Sequence, residues 1–300
     1  MGKNEICTDI RSFAECVCKL VSKQLGEEGQ VKLQEVMKNN GVLLQGLIIL
    51  TKERNLSPTI YLNPLWELYC GGTTVEQIAE KVLDIYRQEM PQESLDMSFF
   101  RDFEKVRGRI CYKLVNAQKN ETLLEQVPHV DVLDLSLCFY YAFENAKLGP
   151  GAILVRNDHM EMWDVSTETL MREARENTSR LYPWKLCTMG DVLKEYTGSR
   201  LDVPMYVLSN EQGFYGASCM FYPTLLQQIA ERMHEDLYIL PSSIHEVILM
   251  PRSEVPDAHK VQHMIREVNL THVDPEEVLS DHLYFYQFRD NRIDIVSIYR

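Results

Sequence analysis

Two β-rich runs, residues 31–38 and residues 42–51, are separated only by the tripeptide Asn39-Asn40-Gly41. An Asn-Gly step between such runs favours a primed turn, because both central residues must adopt a positive φ that Asn and Gly tolerate. A primed turn joins two strands that run in opposite directions. The sequence therefore predicts an antiparallel sheet near the start of the chain.

Further hairpin patterns follow, each with an amphipathic helix behind it. A second hairpin is predicted over residues 152–165, with its turn at residues 157–159, and a third around Gly213; the helices that follow open at Ser166 and Thr224. The elements lack the strict βαβ order that a parallel sheet requires. The prediction is an α+β fold, with mainly antiparallel sheets built from hairpins and flanked by amphipathic helices.

The chain of 300 residues suits two domains of ordinary size. The polar stretch 119–126 is the best candidate boundary, which predicts a helix-hairpin-helix unit over residues 1–126 and an α+β unit over residues 127–300. One continuous domain is the alternative. Within the first unit, Thr73 and Glu76 form a capping-box pattern that opens a helix through residue 86.

Charge and hydropathy narrow the classes of partner. Lys and Arg total 31 against 44 Asp and Glu, a formal net charge of −13, and no basic stripe is present that would neutralise nucleic-acid phosphates. Residues 1–26 contain no signal-peptide core, and no stretch approaches the ~20 apolar residues of a membrane span. The eight scattered cysteines are typical of reduced thiols. We expect a cytoplasmic protein that binds neither nucleic acid nor membrane.

His259 and His263 are four residues apart on a predicted helix, with Glu267 one turn further along the same face. Two imidazoles and a carboxylate suit zinc or another divalent ion, with His272 or His282 as further ligands. The pattern lacks the adjacent Glu of the zincin motif. An exposed polar helix face is the favoured alternative.

Two other groups have the residue types of a nucleophilic site. Ser243 lies two residues from His245 and beside Glu246, but no elbow motif accompanies this serine, so a turn into a strand is favoured. Cys70 and Cys219 are single cysteines, for which core packing is favoured over catalysis.

No nucleotide-binding loop is present, so the sequence indicates no cofactor. Near the carboxyl end, strand alternation places Tyr284 and Tyr286 on the face opposite Phe285. If one side of that sheet is uncovered, an aromatic face is available to a partner.

Three segments carry a resemblance to a known family: KNNGVLLQGLIIL, SPTIYLNPLWELYCGGTTVEQIAEKVLDIY and LYILPSSIHEVILMP. They resemble an uncharacterised bacterial family, the domain of unknown function numbered 5688, known chiefly from anaerobic gut bacteria. The likeness covers most of the chain. Residues 134–182, which include REARENTSRLY, also resemble a module of a second uncharacterised bacterial family. Neither resemblance implies a catalytic or binding residue.

The sequence contains no convergent catalytic set, so we expect a non-catalytic interaction or regulatory protein with a protein partner or a second copy of itself. One alternative is a metal-dependent hydrolase that uses His259 and His263. The other is a small-molecule binding module in which a cleft between the two units closes on a ligand without chemistry.

Overall fold

The computed structural model describes residues 7–51, 57–89, 97–145, 149–198, 203–241 and 243–297. The chain forms two compact units, Met1–Met97 and Ser98–Arg300. No helix in the described ranges combines the length and apolar character needed to cross a bilayer.

The first unit consists of a small sheet and helices. Its elements are, in chain order, α1 (Ile10–Leu25), β1 (Gln30–Met37), β2 (Leu43–Leu50), β3 (Thr59–Tyr61), α2 (Asn63–Cys70) and α3 (Val75–Glu89). The strands form an antiparallel sheet in the order β1-β2-β3. The predicted first hairpin is confirmed, with Asn40 at φ 60° and Gly41 at φ 69°.

Helices α1 and α3 contribute the core of this unit. Phe13 and Val17 of α1 and Ile78 and Val82 of α3 are fully buried in one hydrophobic cluster. Helix α3 begins one residue later than predicted, and its capping box consists of Thr74 and Gln77 instead of Thr73 and Glu76.

The second unit contains most of the elements. In chain order they are α4 (Phe103–Val106), β4 (Ile110–Asn116), α5 (Glu121–Leu124), β5 (His129–Val132), β6 (Leu135–Asn145), β7 (Gly149–Leu154), α6 (Asn157–Trp163), α7 (Thr167–Leu181), β8 (Trp184–Thr188), α8 (Met189–Thr197), β9 (Tyr206–Asn210), α9 (Leu225–Met233), β10 (Leu237–Leu240), β11 (Val247–Pro251), α10 (Ala258–Thr271), β12 (Tyr284–Gln287) and β13 (Arg292–Ile295).

These strands form two sheets with antiparallel pairing throughout the described residues. One has the order β13-β12-β10-β11-β9-β8, and in the other the long strand β6 pairs with β4, β5 and β7. The predicted α+β fold with mainly antiparallel sheets is confirmed. The two units divide between Met97 and Ser98, upstream of the predicted break at residue 126, because β4 pairs with β6 and therefore belongs to the second unit.

Two predicted hairpins are wrong. Residues 157–163 form helix α6, whose Trp163 packs against Phe100 with ring centroids 5.2 Å apart, and residues 216–221 form a 3-10 helix instead of a returning strand. Strand β8 and helix α8 were not predicted at all. The alternation in β12 is confirmed: Tyr284 and Tyr286 are buried in the main core, and Phe285 packs on the opposite face against Tyr238.

We expect Gly216→Ala to destabilise the second unit. A Cβ at this position would overlap the Ser209 hydroxyl and the His245 carbonyl oxygen and would lie 2.9 Å from the Asn210 nitrogen. Overpacking of this kind costs about 1–3 kcal/mol. Urea unfolding measures the change in the free energy of unfolding.

The matched control is Gly108→Ala, because Gly108 is exposed and a Cβ there meets no atom within 4 Å. An equal effect of the two substitutions would contradict the packing argument.

Candidate functional site

A cavity of about 440 Å³ opens in the second unit, and we name it the Arg175 cavity. Its walls come from the β5–β6 turn, helix α7, residues 220–227 at the start of α9, and the β12–β13 hairpin. Its volume falls within the range of small-molecule sites. Because the walls are distant in sequence, the fold assembles this cavity and no local motif encodes it.

Helix α7 brings Arg175 to the cavity. Leu170 and Ala174 on its inner face are fully buried, and the Thr178 hydroxyl accepts a hydrogen bond from the backbone N–H of Tyr112 in β4 at 3.1 Å. Apolar packing and this buried hydrogen bond fix the helix against the sheet. The exposed Arg175 side chain is thereby positioned at the cavity wall.

The charge that lines the cavity is positive. Arg175 and Arg292 line it, whereas no Asp or Glu is among the described lining residues. Arg292 donates to Asp294 at 2.8 Å on its own strand. The Arg175 guanidinium has no hydrogen-bond or ion-pair partner in the described part of the chain. A positive cavity is thus present in a chain whose net charge is −13.

The first turn of α9 adds backbone donors to the same wall. Thr224 precedes the helix, but its side chain makes no capping bond, and its Oγ1 instead accepts from Gln228 Nε2 at 3.0 Å. The predicted opening of this helix at Thr224 is confirmed, but Thr224 does not cap the helix through its side chain. The amides of Leu226 and Gln227 have no acceptor among the described residues, and such helix-terminal N–H groups attract anions.

Residues with a left-handed backbone cluster around the cavity. Leu133 (φ 57°), Thr224 (φ 61°) and Asn291 (φ 47°) all line it. This conformation costs Leu or Thr about 1–2 kcal/mol, whereas Asn tolerates it better. Strain of this kind persists where the surrounding structure fixes it, and it concentrates at functional sites.

A second group of polar side chains surrounds Asp134, the residue after Leu133. The Ser280 hydroxyl donates to its Oδ2 at 2.6 Å, the Tyr284 hydroxyl donates to its Oδ1 at 2.6 Å, and His282 Nδ1 lies 2.9 Å from Oδ2. Burial alone raises the pKa of Asp134, but the hydrogen bonds from Ser280, Tyr284 and His282 outweigh burial, so its pKa is lowered. Asp134 is therefore a carboxylate at neutral pH.

The predicted metal ligands His259, His263 and Glu267 all lie exposed on helix α10. No group of three or more His, Cys, Asp or Glu side chains with metal-binding geometry is present in the described residues. The metal site stays a prediction. Elemental analysis of the protein beside a His259→Ala, His263→Ala double variant tests it.

Ser243 and His245 do not form a nucleophile and base. The Ser243 hydroxyl accepts from the backbone N–H of His245 at 3.0 Å, while His245 Nε2 lies 3.5 Å from Glu277. Cys219 is buried in the 3-10 helix, and burial raises its pKa to about 12, so its thiol stays protonated. Cys70 is exposed.

Sequence reasoning missed Arg175 and Asp134, and it considered His282 only as a metal ligand. One signal was available, because Ser280, His282 and Tyr284 alternate along an extended segment and so share a face. Nothing near Asp134 in sequence indicated that this face would meet it.

A family model described as Family of unknown function (DUF5688) matches residues 10–288. The chain belongs to this family. The resemblance to the family numbered 5688 is thereby confirmed, and no function is assigned to this family. No curated protein and no solved structure matches the chain. The geometry of this DUF5688 chain is therefore the basis for a functional hypothesis.

We expect Tyr284→Phe to lower the free energy of unfolding by about 1.5–3 kcal/mol, because it removes a buried hydrogen bond to the charged Asp134. The folded-state pKa of Asp134 lies below its unfolded value. The contribution should therefore be full above about pH 4 and should shrink as the pH falls through the folded-state pKa. Urea unfolding at neutral and acidic pH measures it.

Tyr238→Phe on the neighbouring strand β10 is the matched control, because the Tyr238 hydroxyl has no hydrogen bond in the described part of the chain. If both variants lose the same stability, the contact with Asp134 contributes nothing.

Proposed function

We propose that the second unit binds a small organic anion, one that carries carboxylate or phosphate groups, in the Arg175 cavity. One observation carries this proposal. Arg175 lies on the cavity wall without an acidic partner among the described residues, and no described acidic side chain lines the cavity. An arginine fork matches the geometry of both anionic groups and binds them more strongly than neutral acceptors.

The other walls support the same ligand class. The free amides at the start of α9 favour negative charge, and Arg292 supplies a second cation. Met220, Tyr222 and Leu225 give an apolar surface for the carbon part of the molecule. Sites for small molecules typically combine such an apolar lining with a few polar groups that set orientation.

This proposal agrees with the small-molecule alternative in ligand class, but it places the ligand within the second unit. We prefer it to the protein-interaction hypothesis because the cavity is concave and charged. Nucleic acid is not proposed, since the chain carries a net charge of −13. We also propose a cytoplasmic location, because all eight cysteines are free and reduced thiols are typical of that compartment.

We expect inorganic phosphate or succinate at millimolar concentration to raise the midpoint of thermal unfolding, because a ligand that binds only the folded state stabilises it. The neutral analogue succinamide should do so less. Arg175→Gln should weaken binding of the anions about tenfold or more, as expected for loss of a charge-assisted contact. Titration calorimetry measures the dissociation constants.

The matched control is Arg172→Gln, because Arg172 is exposed on the same helix but pairs with Glu173 at 3.5 Å and does not line the cavity. Equal losses in the two arginine variants, or equal effects of succinate and succinamide, would refute the proposal.

A further inference from the structure

Asp134 and His282 form an oriented carboxylate-imidazole pair. His282 Nδ1 lies 2.9 Å from Asp134 Oδ2, so in the neutral ring Nδ1 carries the proton and donates it to the carboxylate. The ring nitrogen Nε2 is then the free base. It has no partner among the described residues, and the His282 side chain is 45% exposed. This tautomer leaves a basic nitrogen open to a ligand or a water molecule.

The carboxylate of this pair is itself held in place. Ser280 donates to Asp134 Oδ2, and its Oγ also accepts from the backbone N–H of His282 at 3.0 Å, which fixes the segment that carries the imidazole. Tyr284 is fully buried and donates to the other carboxylate oxygen. A carboxylate restrained in this way can hold one imidazole orientation and can stabilise the imidazolium that forms when Nε2 takes a proton.

The pair is built on two elements that also form walls of the Arg175 cavity. Leu133, which lines the cavity, directly precedes Asp134, and Tyr286, which also lines it, follows Tyr284 by two residues on the same buried face. His282 and Tyr286 are four residues apart, so their Cα atoms are at most about 13 Å apart. Neither Asp134 nor His282 is among the described residues that line the cavity, so a substrate anchored there must extend beyond the cavity wall to reach Nε2.

We propose that His282 is the general base of an ester hydrolase whose substrate is a carboxylic ester bearing an anionic group, with Asp134 as its positioning residue. This proposal rests on the proposed function, since the cavity would hold the anionic group. His282 Nε2 takes a proton from water as the water oxygen bonds to the ester carbonyl carbon. The carbon-oxygen ester bond then breaks, and the leaving alcohol oxygen takes the proton from Nε2. Water is the nucleophile, because no described Ser, Thr or Cys side chain contacts Nε2.

Two chromogenic esters test the proposal on the full chain: para-nitrophenyl hemisuccinate, which is anionic, and para-nitrophenyl acetate, which is neutral. The wild-type protein should hydrolyse the hemisuccinate with the higher kcat/KM. His282→Asn keeps an N–H donor toward Asp134 but lacks the basic nitrogen, so kcat for the hemisuccinate should fall about 100-fold or more. Arg175→Gln should raise KM for the hemisuccinate.

Exposed histidines also cleave activated esters, so a matched control is needed. His234→Asn removes an exposed histidine at φ 59°, a conformation that Asn tolerates, and it should retain the wild-type rate. Free imidazole added to His282→Ala should raise the rate above that of the same imidazole concentration without protein, and a purely structural role for His282 predicts no such excess.

The catalytic proposal is overturned if His282→Asn keeps the wild-type rate, if His234→Asn loses as much, or if the wild-type protein hydrolyses neither ester above the uncatalysed rate. Succinate binding by the same preparation separates these failures from failure of the cavity. Succinate binding without ester hydrolysis refutes the catalytic role alone. Absence of both succinate binding and ester hydrolysis refutes the catalytic role and the anion-binding function together.

Discussion

The buried amide of Asn177 is the contact on which the geometry of the second unit depends. Its Nδ2 donates to the carbonyl oxygens of Arg107 and Ile110 at 2.6 and 3.0 Å, at the start of strand β4. The neighbouring Thr178 carbonyl accepts from the Tyr222 hydroxyl at 3.3 Å. Asn177, Thr178 and Tyr222 are buried, so leaving one of their polar groups unpaired would cost about 1–3 kcal/mol. Helix α7 is thus fixed to the sheet and to the segment before α9, and the position of Arg175 follows.

Local signals determined which elements the sequence could predict. The first hairpin is as predicted, because its Asn40-Gly41 turn and the two β-rich runs around it are encoded in adjacent residues. Helix α6 was mistaken for a turn because residues 157–159 are turn formers, whereas the contact that stabilises the helix comes from Phe100, about sixty residues earlier. Local propensity is a weak guide where tertiary packing decides.

The candidate site was less predictable than the fold for the same physical reason. Asp134 meets its three donors across nearly 150 residues of sequence. Arg175 differs from Arg172 in that it lines the cavity and has no ion-pair partner in the described part of the chain, and neither property is visible in the local sequence. The His259 and His263 spacing is encoded locally and does place both side chains on one helix. A metal site also needs ligands from other segments, and spacing alone cannot supply those.

The left-handed backbone at Leu133 and Thr224 has an evolutionary consequence. Gly or Asn at either position would relieve the backbone cost, and at position 133 it would also remove the Leu133 side chain from its packing against the main core. Members of DUF5688 with Leu and Thr at these positions carry the backbone cost, whereas members with Gly or Asn avoid it. The residue types at these two positions therefore offer a way to sort the family into members that share this cavity and members that have relaxed it.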